Sequence, residues 1–174
     1  MRIAQYDYTK VVIDTAPLID ALTLELLEQE PECAASVSRK SPLNECLDNN
    51  PAAQQNFRNL LARAKEILIT SHVIGEIKSR TYVSGGRLHT VYWQSWMNFL
   101  DKHNVAEKLI TLREMNADER LRGIVRLVGP TDAGVVALAS REECLLLTHD
   151  ERLYRWLGAF PDVQIELVKS AVSY

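Results

Sequence analysis

The chain has 174 residues, of which 47% are hydrophobic and 25% are charged, and its formal net charge is −3. This balance is typical of a single globular domain that needs no disulfide or structural metal, and it carries no overall nucleic-acid-binding signature. No signal peptide and no membrane span are predicted, because no apolar stretch approaches about 20 residues. The three cysteines have no metal-ligand spacing, so we expect reduced thiols and a cytoplasmic protein.

Charge is unevenly distributed along the chain. Residues 1–57 carry 4 basic and 9 acidic side chains, whereas residues 78–126 carry 9 basic and 5 acidic ones. The basic middle permits contact with phosphate, but an ordinary solvated helix surface explains it equally well. Three of its cations, Lys78, Arg80 and Arg87, either line an RNA-binding groove or are ordinary surface charge.

The first half of the chain alternates between short apolar strands and helices. Residues 11–13 are a β-branched strand that ends at Asp14, and a helix follows from Thr15 to about residue 29. Residues 30–52 are polar and hold three prolines, which predicts a long insertion before a helix over about 53–65. A second strand is predicted over 67–70, with Ser71 capping a helix that carries Glu76 on its flank.

The second half continues the alternation. We predict a helix over about 90–103, a strand over 105–112, a basic helix over 117–128 and a helix that Asp132 opens. An apolar strand over 144–148 leads to Asp150 at the start of another helix, and 163–168 alternates as an edge strand. This order indicates one α/β domain over 1–174, a parallel sheet of about five strands between two layers of helices.

Four carboxylates lie near the predicted carboxyl ends of the strands: Asp14, Glu76, Asp132 and Asp150. Taken singly, the three aspartates can be helix caps and Glu76 a half-exposed helix residue. In a parallel sheet, however, these strand ends lie side by side, so the four groups can converge on one pocket.

Carboxylates at such short distances from one another repel each other, and a bound divalent cation relieves this repulsion. Oxygen ligands without histidine or cysteine favour Mg²⁺ or Mn²⁺, which can activate water and stabilise charge on a phosphodiester. Thr15 and Thr148 are placed to hydrogen-bond these carboxylates on the side away from a bound cation. The histidines have no spacing typical of a metal site, and His149 is either a substrate contact or a solvated loop residue.

Four segments carry a resemblance to a known family: VVIDTAPLI at 11–19, SHVIGEIKSR at 71–80, TDAGVVALA at 131–139 and LLLTHDERL at 145–153. They resemble, in order, the four acidic motifs of PIN-domain nucleases, which include VapC-type toxins of toxin–antitoxin pairs and ribosome-maturation endonucleases. The resemblance implies a Mg²⁺- or Mn²⁺-dependent ribonuclease with Asp14, Glu76, Asp132 and Asp150 as catalytic metal ligands. It further implies an RNA substrate cut to a 5′-phosphate and a 3′-hydroxyl, and an antitoxin-like protein partner.

Two other functions are alternatives to a ribonuclease. It can be a PIN-like protein- or RNA-binding module with weak or no activity, although four retained carboxylates count against that. A dehalogenase-type phosphatase is excluded by Ala16, which stands where a second aspartate is needed.

The helix near 90–103, with Trp93 and Trp96, carries more apolar surface than one face can hide, which predicts a homodimer or partner contact.

Overall fold

The computed structural model describes residues 9–29, 50–82, 86–155 and 160–168. The strands within these ranges are β1 (Lys10–Ile13), β2 (Glu66–Thr70), β3 (Val105–Lys108), β4 (Leu145–Thr148) and β5 (Gln164–Leu167). The helices are α1 (Thr15–Gln29), α2 (Pro51–Arg63), α3 (Ser71–Tyr82), α4 (Gly86–Lys102), α5 (Leu112–Ala117), α6 (Glu119–Leu127), α7 (Pro130–Arg141) and α8 (Glu151–Arg155). Most of the predicted insertion, residues 30–49, lies outside the described residues, and its last two positions belong to α2.

The five strands form one sheet in the order β3-β2-β1-β4-β5, and every neighbouring pair is parallel. The register places Ile13 of β1 opposite Leu147 of β4, and the N–H of Asp14 continues this ladder by donating to the Leu147 carbonyl at 3.0 Å. The predicted adjacency of these two strand ends is confirmed. The predicted fold class, a parallel α/β sheet flanked by helices, is confirmed as well.

The inner strands explain why the sheet is covered by helices on both faces. Residues 11–13, 67–70 and 145–148 are completely or almost completely buried. They are apolar apart from Thr70 and Thr148 at the strand ends, so neither face of the sheet can be left to solvent. Parallel neighbours also require crossover connections, and the helices that make them supply the cover. Both threonines thereby come to the carboxyl edge of the sheet.

Local capping chemistry explains two of the predicted boundaries that are wrong. The strand predicted over 105–112 ends at Lys108, because Thr111 and Glu114 exchange side-chain-to-backbone hydrogen bonds and start α5. Helix α7 begins at Pro130, after Gly129 at φ 109°, a conformation that glycine adopts readily. Asp132 therefore lies inside the first turn of α7 and is not its N-cap.

The aromatic helix α4 is mostly packed within the domain. Tyr92, Trp96 and Phe99 are buried, and the hydroxyl of Tyr92 lies 3.0 Å from that of Thr23 in α1. Met97 is the large apolar side chain of the described part of α4 that is mainly exposed, at 53%. Apart from Met97, the described part of this helix shows no large apolar side chain that is mainly exposed, because α1 and α3 pack against it. The expected excess of apolar surface on this helix therefore no longer supports a homodimer, which stays a prediction.

No helix in the described ranges is both long enough and apolar enough to cross a lipid bilayer.

Candidate active site

A cavity of about 270 Å³ opens at the carboxyl edge of the sheet, beside the ends of β1 and β4. All four predicted carboxylates, Asp14, Glu76, Asp132 and Asp150, line it. The remaining lining residues come from the start of α1, the α6–α7 connection, the first turn of α7 and α8: Thr15, Ala16, Val128, Gly129, Pro130, Thr131 and Arg152. The fold therefore brings to one place four acidic residues that are spread over 137 positions of the sequence.

Asp14 is the most buried of the four carboxylates, and both of its oxygens accept hydrogen bonds. The backbone N–H of Thr15 donates to Oδ1 at 2.6 Å, and the hydroxyl of Thr148 donates to Oδ2 at 2.7 Å. Burial raises the pKa of Asp14 above its ordinary value, which the two hydrogen bonds partly offset, and the charges of Glu76 and Asp150 raise it further. Asp14 is a site at which added positive charge would be strongly favourable.

Two threonines connect the carboxylates to one another. The hydroxyl of Thr15 donates to Oε2 of Glu76 at 3.0 Å, which ties α3 to the start of α1. The hydroxyl of Thr148 accepts the backbone N–H of Asp150 at 3.0 Å while it donates to Asp14. Both threonines are buried, so these bonds are protected from competition with water.

Asp150 is held differently, because it also caps a helix. Its Oδ1 accepts the backbone N–H of Arg152 at 2.7 Å, and the Arg152 guanidinium reaches Oδ2 at 2.8 Å. Burial by itself raises the pKa of Asp150, but the hydrogen bonds from Arg152 and from the N–H of Leu153 outweigh it, so the pKa lies below its usual value. Asp150 is therefore ionised over the whole neutral range.

Asp132 has a strongly perturbed pKa. Burial, together with the charges of Asp14, Asp150 and Glu76, raises its pKa to about 7, and the positive charge of Arg152 only partly opposes this. A carboxyl group whose pKa is raised to near neutrality by burial and by three like charges is typical of a site prepared for a cation.

The donor set fits a hard divalent cation, since it contains four carboxylates and neither histidine nor cysteine. Even so, no three acidic, histidine or cysteine side chains of the described ranges already form a cluster that could hold a metal ion. The hydrogen bonds above give a reason: Asp14, Glu76 and Asp150 are each oriented by a threonine or arginine donor. Binding a cation would have to draw these side chains together.

The remaining predictions concern RNA contacts of three cations and the role of His149. Lys78 is exposed, does not line the cavity and lies about 200° around α3 from Glu76, so its contact with RNA stays a prediction. The side chains of Arg80 and Arg87 lie outside the described residues. The interpretation of His149 as a solvated loop residue is wrong, because its Nε2 lies 2.7 Å from Oδ2 of the fully buried Asp20. It does not line the cavity, and its contact with substrate stays a prediction.

Arg152 is the cavity residue that the sequence argument missed. It comes two positions after Asp150, and its guanidinium is the positive charge among the residues that line the cavity. An Asp-x-Arg pattern directly after a buried strand is a signal that could have identified it, because both side chains leave the same sheet edge.

The fold is similar to that of a chain in the crystal structure of VapBC2 from Rickettsia felis bound to a DNA fragment from their promoter. The similarity covers 91% of this chain and 98% of the other one, with a TM-score of 0.57 and 16% sequence identity. The chain has a PIN-like fold. No family model matches the chain, and no curated protein matches it in sequence. At this identity the similarity establishes the fold alone, and the PIN-like architecture expected from the four motifs is confirmed.

Proposed function

We propose that the protein is a ribonuclease that uses Mg²⁺ or Mn²⁺ to hydrolyse RNA phosphodiester bonds. The observation that carries this proposal is the convergence of Asp14, Glu76, Asp132 and Asp150 on one cavity of a PIN-like fold. Like charges gathered at a partly buried site are costly unless a cation or a reaction requires them. The VapBC2 neighbour supports a nuclease of this kind.

Asp14, Asp132 and Asp150 would hold the cation, with Glu76 binding directly or through a water molecule. A bound divalent cation would stabilise the negative charge on an attacking water and on the phosphodiester. The hydroxyls of Thr15 and Thr148 keep Glu76 and Asp14 oriented toward the cavity, which limits the rearrangement that binding requires. The expected products are a 5′-phosphate and a 3′-hydroxyl.

Cleavage of a fluorescent single-stranded RNA in Mn²⁺ tests the proposal, together with Mn²⁺ binding by titration calorimetry. Asp14→Asn and Asp150→Asn preserve the shape of each side chain and remove one charge from the cavity. We expect each to reduce cleavage by at least about a hundredfold and to weaken Mn²⁺ binding. Asp101→Asn, at an exposed position of α4 away from the cavity, is the matched control and should behave like the parent protein.

The result that would overturn the proposal is full Mn²⁺-dependent cleavage by both cavity variants in a preparation free of contaminating nuclease. The alternative, a PIN-like protein- or RNA-binding module without activity, would then be favoured. RNA binding without cleavage by the parent protein, insensitive to Mn²⁺, would favour the same alternative.

An antitoxin-type protein is the partner we propose, by similarity to the VapBC2 complex. Co-expression with the product of a small neighbouring gene tests it. A stable complex on size-exclusion chromatography that suppresses cleavage would support this partner. Separate elution with undiminished cleavage would argue against it.

A further inference from the structure

The carboxylate of Asp150 faces the cavity but is occupied on its outer side by Arg152. The Arg152 Nη2 lies 2.8 Å from Oδ2 of Asp150, and Nε lies 3.2 Å from Oδ1. Two N–H groups of one planar guanidinium thus engage the two oxygens of one carboxylate, the fork-like pairing that makes arginine–carboxylate contacts strong.

The Arg152 side chain is anchored at one end only. It is 73% exposed, whereas the side chain of Asp150 is 21% exposed, and within the described ranges Asp150 is its ion-pair partner. Since Asp150 immediately precedes α8 and Arg152 lies in its first turn, the guanidinium can leave the carboxylate without any change in the backbone. It would then still lie at the rim of the cavity.

A cation bound through Asp150 would compete with this guanidinium for the same two oxygens. The competition is electrostatic as well as steric, because a divalent cation and a guanidinium that share one carboxylate repel each other. Whatever releases Arg152 leaves a mostly exposed guanidinium beside the acidic cavity. The ligands that best match its planar, bidentate geometry are carboxylates and phosphates.

We propose that Arg152 is an exchangeable counter-ion that holds Asp150 in the metal-free protein and contacts an RNA phosphate once a divalent cation has taken its place. This inference rests on the proposed function. It assigns a substrate-contacting role to a residue other than the four carboxylates, and it gives the cavity a positive group on a mostly exposed side chain.

The two halves of the proposal predict opposite effects of one substitution. Arg152→Gln removes the competing charge, so Mn²⁺ should bind about threefold to tenfold more tightly in the absence of RNA, as measured by titration calorimetry. The same variant should bind a single-stranded RNA more weakly in Ca²⁺, as measured by fluorescence anisotropy with a gel to verify that the RNA is intact. Its salt dependence should also fall by about one phosphate contact.

Arg155→Gln is the matched control. Arg155 lies on the same short helix, is similarly exposed and pairs with Glu151 at 3.5 Å, but it does not line the cavity. It should leave both the Mn²⁺ affinity and the salt dependence unchanged. Arg152→Lys keeps the charge without the planar fork and should fall between the parent and Arg152→Gln, which guards against an effect of altered folding.

Arg152→Gln binding Mn²⁺ no more tightly than the parent would overturn the counter-ion role. A salt dependence equal to that of Arg155→Gln would overturn the phosphate contact. Failure of the proposed function is recognised separately, because the parent and Asp14→Asn would then bind Mn²⁺ alike, and the inference about Arg152 would fall with it.

Discussion

The imidazole Nε2 of His149 lies 2.7 Å from the carboxylate Oδ2 of Asp20, and the two side chains are 10% and 0% exposed. The residues are 129 positions apart in the sequence. Asp20 belongs to α1, the helix that follows Asp14, and His149 stands between Thr148 and Asp150. The pair therefore joins the two segments that carry half of the candidate site.

We expect His149→Ala to lower the free energy of unfolding by about 3 kcal/mol, because the buried Asp20 carboxylate loses this partner. Urea unfolding followed by circular dichroism measures the change. In a double-mutant cycle with Asp20→Asn, the two losses should be far from additive, since both remove the same interaction. Additive losses would show that the contact contributes little to stability.

The strands and their parallel arrangement were accessible from the sequence, whereas this pair was not. Short apolar runs such as residues 145–147, alternating with helical patterns, are typical of buried parallel strands, and the carboxyl ends of such strands meet at one edge of the sheet, where Asp14 and Asp150 were expected. A contact between His149 and Asp20 depends on how α1 lies over the sheet, which no local pattern specifies. The overlong third strand is a different kind of error: the Thr111–Glu114 capping box was present in the sequence, and it overrides strand propensity.

Thr148 should contribute to stability through its hydroxyl. Thr148→Val keeps the size of the side chain but removes the donor to Asp14 and the acceptor of the Asp150 N–H, so we expect a loss of about 1 to 3 kcal/mol in urea unfolding. Thr148→Ser is the control, because it keeps the hydroxyl and loses one buried methyl group, at a cost of about 1 kcal/mol. A larger loss for serine than for valine would mean that packing, and not the hydrogen bonds, dominates at this position.

Stability without metal should depend on pH through Asp132. Its pKa is about 7 in the folded protein and near 3.8 when unperturbed, so between these values the folded chain holds a proton that the unfolded chain has released. The contribution of Asp132 to stability therefore becomes less favourable as the pH rises from about 4 to 7, and the penalty is complete above 7. Asp132→Asn should remove it and raise the free energy of unfolding by about 1 to 2 kcal/mol at pH 8, a value reduced for solvent screening of a half-buried group.

The comparison that isolates this effect is the difference between Asp132→Asn and the parent protein at pH 5 and at pH 8. Other carboxyl groups, such as Asp118 and Asp162, have lowered pKa values and act in the opposite direction, but they cancel in that difference. Asp14, whose pKa is raised, remains in both proteins. An equal gain at both pH values would contradict a role for ionised Asp132.

Mn²⁺ binding should have the opposite pH dependence, because a cation binds the ionised form of Asp132. At pH 6 most of this carboxyl group is protonated and the proton must leave, so we expect the affinity to rise about tenfold between pH 6 and pH 7.5 and then to level off. Titration calorimetry in buffers of different ionisation enthalpy should detect about one proton released per Mn²⁺ at pH 6 and fewer at pH 8. Asp132→Asn should bind more weakly and with a flatter pH profile. A parent affinity that does not change over this range would mean that the cation binds without Asp132, and the ligand set would then reduce to the carboxylates on the other elements.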